Sequence, residues 1–188
     1  MKKVILTAAA VFAFGFANAQ ETKFGVKAGL NMSNFSGDVE DNSAKIGFQV
    51  GGFAEIKISD KFAVQPELLY SLQGAKYSGE GDDLNYNFSY LNIPVMAKFF
   101  VAEGFSLEAG PQLGILTSAK VTDGNDSEDI KEFFESIDFG LNFGAGYDVA
   151  ENINIGLRYS LGLSNIAKDS GDDKISNSNI ALAIGYKF

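Results

Sequence analysis

The sequence predicts an all-β protein: an eight-stranded antiparallel up-and-down transmembrane β-barrel, preceded by a cleaved signal peptide. Three observations carry that expectation. An export leader opens the chain, an apolar–polar alternation of period two recurs in eight segments, and short turns alternate strictly with long polar loops.

The leader starts with the basic head Met1-Lys2-Lys3. Val4 to Phe16 is then apolar apart from Thr7 and Gly15, and Ala17-Asn18-Ala19 supplies small residues. This is the layout of a secretory signal cleaved after Ala19. The apolar stretch falls short of the ~20 residues that a spanning helix needs. The chain therefore divides into residues 1–19, the signal peptide, and residues 20–188, the outer-membrane β-barrel domain. Cleavage takes away Lys2 and Lys3 and leaves 13 basic residues against 24 acidic ones, a net −11. So acidic a chain will not hold nucleic acid by neutralising phosphates. There is no Cys, His or Trp. Disulfides and thiolate metal sites are excluded, and the commonest general base near neutral pH is missing. No cofactor or metal is expected.

The strands follow in order. In 23–33, Phe24, Val26, Ala28, Leu30 and Met32 share one face against Gly25, Lys27, Gly29 and Asn31. In 45–58, Ile46, Phe48, Val50 and Ile56 oppose Gln49, Glu55 and Lys57, with Phe53 as an exception. In 62–74, Phe62, Val64, Leu68 and Tyr70 oppose Gln65, Glu67 and Ser71, and in 88–101, Leu91, Ile93 and Phe99 oppose Asn92 and Lys98. In 105–117, Phe105, Leu107 and Leu113 oppose Ser106, Glu108 and Gln112. In 136–149, Phe139, Leu141 and Phe143 oppose Asp138, Asn142 and Gly144. In 153–164, Ile155, Leu157 and Tyr159 oppose Asn154, Arg158 and Ser160, and in 178–188, Ile180, Leu182 and Tyr186 oppose Ala181, Gly185 and Lys187. Alternation of this kind marks strands with unlike faces, and each segment is near the ~9–11 residues that cross a bilayer when tilted.

Ser59-Asp60-Lys61, Ala102-Glu103-Gly104 and Ala150-Glu151-Asn152 are tight turns, whereas 34–44, 75–87, 118–135 and 165–177 are long and polar. Bacterial outer-membrane barrels keep short turns in the periplasm and long loops outside. The localisation that follows is the cell outer membrane of a Gram-negative bacterium, with both termini periplasmic. Residues 128–137 break the alternation with a more helical spacing, which predicts a short helical turn in the third long loop.

A soluble barrel also alternates, but it turns its apolar face inward. Here the weaker face is rich in Gly, Ser, Asn and Gln, and it carries paired charges. As an interior this makes sense, because eight strands enclose a lumen only wide enough for side chains to fill. The aromatics fall largely near strand ends, where interfacial girdles lie. An open edge in hydrocarbon would strand backbone N–H and C=O groups, so the first strand must pair with the last.

The segments Gln65-Pro66-Glu67-Leu68-Leu69-Tyr70-Ser71, Tyr90-Leu91-Asn92-Ile93-Pro94 and Ala109-Gly110-Pro111 resemble the PorT-like outer-membrane β-barrel family. So do Asp138-Phe139-Gly140, Gly144-Ala145-Gly146-Tyr147, Arg158-Tyr159-Ser160-Leu161-Gly162-Leu163 and Gly185-Tyr186-Lys187-Phe188. The likeness spans nearly the whole mature chain and is weakest in the long loops. The resemblance implies a small barrel of the porin-family type, and one member's link to secretion implies an accessory role in protein export. The closing Tyr186 and Phe188 resemble the C-terminal signal that the barrel-assembly machinery reads.

Glu67, Lys98, Glu108 and Asp138 come from consecutive expected strands, and Arg158, the single arginine, from the next. Adjacent carboxylates can be catalytic. The reading preferred here is an interior charge network of Lys27, Glu55, Lys57, Glu67, Lys98, Glu108, Asp138, Arg158 and Lys187 that fills the lumen and fixes register. With no His and no nucleophile motif, an enzyme is not expected. The four long loops hold 15 acidic residues against 5 basic ones, so the outer rim carries nearly all the net charge. Residues 123–129 place oxygens at alternate positions like a calcium loop, but Glu128 stands where Gly belongs and Phe134 where Glu belongs. A solvated, repelling loop is the expectation. The leading expectation of role is a non-enzymatic integral barrel serving envelope structure or surface interaction; a secretion accessory and a narrow diffusion channel are the alternatives. Its partners would be outer-membrane lipid, the barrel-assembly machinery, and envelope or secretion proteins.

Overall fold

The structure, a computed structural model, describes residues 21–37, 42–78, 83–124, 126–168, 171 and 173–188. The expected signal peptide lies outside the described residues. Eight long strands form the wall: β1 (Thr22–Gly37), β2 (Asn42–Ser59), β3 (Phe62–Ser78), β4 (Asp83–Ala102), β5 (Phe105–Asp123), β7 (Ile137–Ala150), β8 (Ile153–Gly162) and β9 (Ile175–Lys187). A ninth, β6 (Asp126–Asp129), is a short flap that pairs with the end of β5. Each wall strand is antiparallel to its neighbours, and β1 pairs with β9 from Gly25↔Lys187 to Gly37↔Ile175, closing the barrel. Closure leaves no edge strand to face hydrocarbon.

Burial shows which way each face looks. Leu30, Ile46 and Leu182 are 66%, 74% and 58% exposed, whereas Lys98, Glu55 and Asn142 are 1%, 2% and 0% exposed. The apolar set points outward and the polar set inward, the reverse of a water-soluble barrel. Phe53, the exception in the alternation, is an inward residue. Its ring occupies the space that Gly25 and Gly185 leave free and lies 5.5 Å from the Lys27 ammonium. Gly51 is required for a similar reason, since a Cβ there would run into the Leu68 carbonyl of the next strand.

On the loop side the strands run further than the alternation predicts, with β4 starting at Asp83 and β5 continuing to Asp123. Above the lipid belt the inward positions turn apolar. Phe35, Ala75, Phe88, Tyr90, Leu116 and Ala119 form a buried cluster there with Ile130 and Ile166 from the two longest loops. The pattern therefore inverts partway along β4 and β5. Within β5 the change coincides with a bulge at Thr117, where the register against β4 slips between Ser89 and Tyr90. On β3 at the same end, Gly74 adopts φ +138° and exchanges hydrogen bonds of 2.9 Å with the Ser33 hydroxyl. The helical turn expected over 128–137 shrinks to a 3₁₀ turn at Lys131–Phe133, and Asp126–Asp129 is extended instead. One turn flanked by extended chain lets both Ile130 and Phe134 reach the cluster.

The three prolines interrupt the ladder. Pairing between β2 and β3 skips Ala54 and Glu55 opposite Pro66 and Gln65. Between β3 and β4 it skips Glu67 and Leu68 opposite Pro94 and Ile93. Between β4 and β5 it skips Val95 and Met96 opposite Pro111 and Gly110. Each proline lacks the N–H that the missing rung would use. The breaks form one belt across four adjacent strands.

Candidate functional site

The inward parity of each strand delivers charged side chains to one layer of the lumen. Arg158 on β8 reaches across the barrel to Glu67 on β3 in a bidentate pair of 2.8 and 2.9 Å, and its Nη2 also donates to Glu108 on β5 at 3.1 Å. Lys27 on β1 donates to Glu67 at 2.7 Å. Lys98 on β4 donates to Glu55 on β2 at 2.6 Å and to the Gln65 amide oxygen at 3.2 Å, and it lies 3.5 Å from Glu108. Lys187 on β9 holds Glu55 at 3.2 Å and both oxygens of Asp148 on β7 at 3.0 and 3.1 Å. Gln65 completes the Glu67 shell by donating at 2.6 Å.

This layer therefore takes one charged residue from each of the eight wall strands, four bases and four acids, and it is neutral as a set. Burying a single ion in such a place is costly. Paired, hydrogen-bonded charges of equal number offset that cost. Every carboxylate in the layer is held by a cation, and among the described residues no Ser, Thr or Tyr hydroxyl is hydrogen-bonded to it. The arrangement can hold strands in register and block the lumen.

Two residues expected in the network stand apart from it. Lys57 lies at the turn-side mouth with its side chain 40% exposed, where it pairs with Glu21 at 3.5 Å. Lys23 bonds to the same Glu21, and the two ammonium groups hold its carboxyl below the ordinary value. Asp138 sits higher, toward the loops. It accepts a 3.0 Å hydrogen bond from Asn177, which donates equally to the Tyr90 hydroxyl. No lysine or arginine bridges to it among the described residues. Conversely, Asp148 joins the layer without having been expected there, although it shares the inward parity of Asp138, Asn142 and Gly146, the signal that marks it in the sequence.

The lumen is bounded differently at its two ends. On the turn side a vestibule of about 600 Å³ is lined by Glu55, Lys57, Lys61, Asp148 and Lys187 among others. On the loop side the apolar cluster closes it. The two longest loops are stitched over the cluster, with Glu135 donating to the Ile166 carbonyl at 2.8 Å and Lys168 to that of Phe133 at 2.9 Å. Tyr186 and Phe188 stand on the outer face at the turn-side end, their rings 5.6 Å apart and edge-on. Among the described residues no three acidic side chains gather to hold a metal.

The family described as outer membrane protein beta-barrel domain matches residues 17–168. The chain belongs to that family. It is a protein of the outer membrane, and its solved structural neighbours are barrels of the same membrane. Neisserial surface protein A superposes with a TM-score of 0.63 at 18% identity, over 89% of this chain and 99% of that one. The attachment invasion locus protein Ail of Yersinia pestis gives 0.53 at 19% identity, over 89% and 99%. The same protein in complex with the heparin analogue sucrose octasulfate gives 0.52 at 19% identity, again over 89% and 99%. At these identities the likeness concerns the fold. No curated protein matches the sequence.

Proposed function

We propose that this protein is a closed, non-enzymatic outer-membrane barrel that serves envelope structure or surface contact through its acidic loops. The observation that carries the reading is the eight-residue ion layer beneath an apolar cap, which together occupy the lumen. Eight strands enclose a lumen that side chains can fill. With the passage blocked, what the molecule presents to the exterior is its rim, and that rim holds most of the net negative charge. The partner it suits is a cationic protein surface. A sulfated polymer of the kind whose analogue was bound to Ail would be repelled. Tyr186 and Phe188 would be read by the barrel-assembly machinery during insertion.

The PorT-like motifs support a second reading, an accessory role in protein secretion. They mark β3, β4, β5, β7, β8 and β9 and include the three ladder-breaking prolines. Planar-bilayer recording of the purified barrel tests the first proposal: a quiet membrane is expected, and stable, reproducible conductance steps would replace it with a channel. Deletion of the gene followed by surface proteomics tests the second, since a secretion accessory depletes a set of surface proteins and a structural barrel does not.

A further inference from the structure

Above the ion layer, toward the loops, the lumen holds a second polar layer in which donors and acceptors do not balance. Asp138, Asn177 and Asn179 line one enclosed cavity together with Gln73, Tyr90 and Gln112. Its free volume of about 10 Å³ has room for one water-sized particle. All three residues are more than nine-tenths buried, at 8%, 6% and 5% exposure. The Oδ1 atom of each accepts no hydrogen bond from any protein group. For Asn177 the amide orientation is fixed by its neighbours, because its nitrogen donates at 3.0 Å both to the Tyr90 hydroxyl and to Asp138. Turning the amide over would lose the bond to Asp138 and set the amide oxygen against its carboxylate.

Charge is unbalanced too. The layer below is neutral, four against four, so Asp138 is the carboxylate left over among the described lumen residues. A buried carboxylate with no cation either takes up a proton or recruits a counter-ion. One water would supply two donors and no charge. A cation seated in that cavity would supply the charge that Asp138 lacks and a partner for the unsatisfied oxygens of the residues that line it. A carboxylate with amide oxygens is the ligand chemistry of hard cations. The charge count selects one positive charge, since a divalent ion would leave an excess positive charge in the same low-dielectric space.

We infer that Asp138, Asn177 and Asn179 bind a monovalent alkali cation, of the sodium or potassium class, inside the barrel. The ion ties β7 to β9 across the short end of β8, directly beneath the apolar cap. The test uses the full mature barrel in detergent micelles, melted at equal ionic strength in sodium, potassium or N-methylglucamine chloride. An alkali ion at about five times its dissociation constant raises the melting temperature by roughly 2–4 °C over the bulky cation. Asp138→Asn, which keeps the shape and removes the charge, abolishes the difference. Rubidium soaked into crystals of the parent protein gives an anomalous peak among the three side chains, a readout independent of the variant's folding. Equal melting in all three salts, a rise with calcium but not with sodium, or no rubidium peak at this cavity would each overturn the assignment.

Discussion

Replacing Arg158 by methionine removes the charge that spans the lumen while keeping most of the side chain's bulk. The change deletes two hydrogen bonds to Glu67 and one to Glu108. Three lysines then face four carboxylates. Glu67 keeps Lys27 at 2.7 Å, but Glu108 is left with only Lys98 at 3.5 Å. One buried negative charge is uncompensated, and breaking a buried pair in this way costs about 3–5 kcal/mol. At 2–4 °C per kcal/mol for a chain of this size, the melting temperature falls by roughly 6–20 °C. The assay is thermal unfolding of the refolded barrel in detergent, followed by circular dichroism and by the gel shift between folded and heated forms. Adding Glu108→Gln to Arg158→Met restores three against three and recovers at least half of the loss. A single variant that melts with the parent, or a double variant that melts below the single one, would refute the claim that charge balance in this layer holds the barrel together.

Other parts of the account make separate claims. Lys57→Ala leaves the melting temperature where it was, since that ammonium sits in the vestibule mouth and pairs only with exposed Glu21; a drop like that of the Arg158 variant would put Lys57 in the network after all. Pro111→Ala supplies the donor missing opposite the Val95 carbonyl, and hydrogen exchange at the new amide should be as slow as at neighbouring ladder positions, a gain of about 0.5–1.5 kcal/mol; free exchange there would mean that proline is not what breaks the rung. Ile166→Ala empties a fully buried position in the cap, so proteases added to intact cells should cut the third and fourth loops faster while the barrel's own melting changes little. Unchanged loop cleavage would show that the cap is not held by this packing.

Much of the wall was legible because hydrophobicity alternates with period two wherever one face meets lipid and the other meets a polar lumen. The same signal explains what stayed hidden. Above the lipid belt, Phe88, Tyr90 and Leu116 point inward, so the alternation changes sign and the extra turns of β4 and β5 read as loop. Parity says which side chains enter the lumen but not at what height. Parity alone therefore groups Asp138 with Glu67 and Arg158, although it sits a layer above them, and adds Lys57, although it stands at the mouth. Asp148 was readable from parity and was masked by the glycine-rich segment before it. The prolines of three quoted motifs could be seen one by one, but their alignment into a single belt depends on strand register, which no local pattern carries.

The claim on which the rest depends is that the apolar face of each strand looks at lipid. The protein has no cysteine, so single cysteines introduced at Ile180, Ala181, Leu182, Ala183 and Ile184 of β9 can each carry a spin label in bilayer vesicles. Collision rates with oxygen, which concentrates in hydrocarbon, should peak at positions 180, 182 and 184 and fall at 181 and 183. Peaks at 181 and 183 instead, or a flat profile with high access to a water-soluble nickel chelate throughout, would contradict the account.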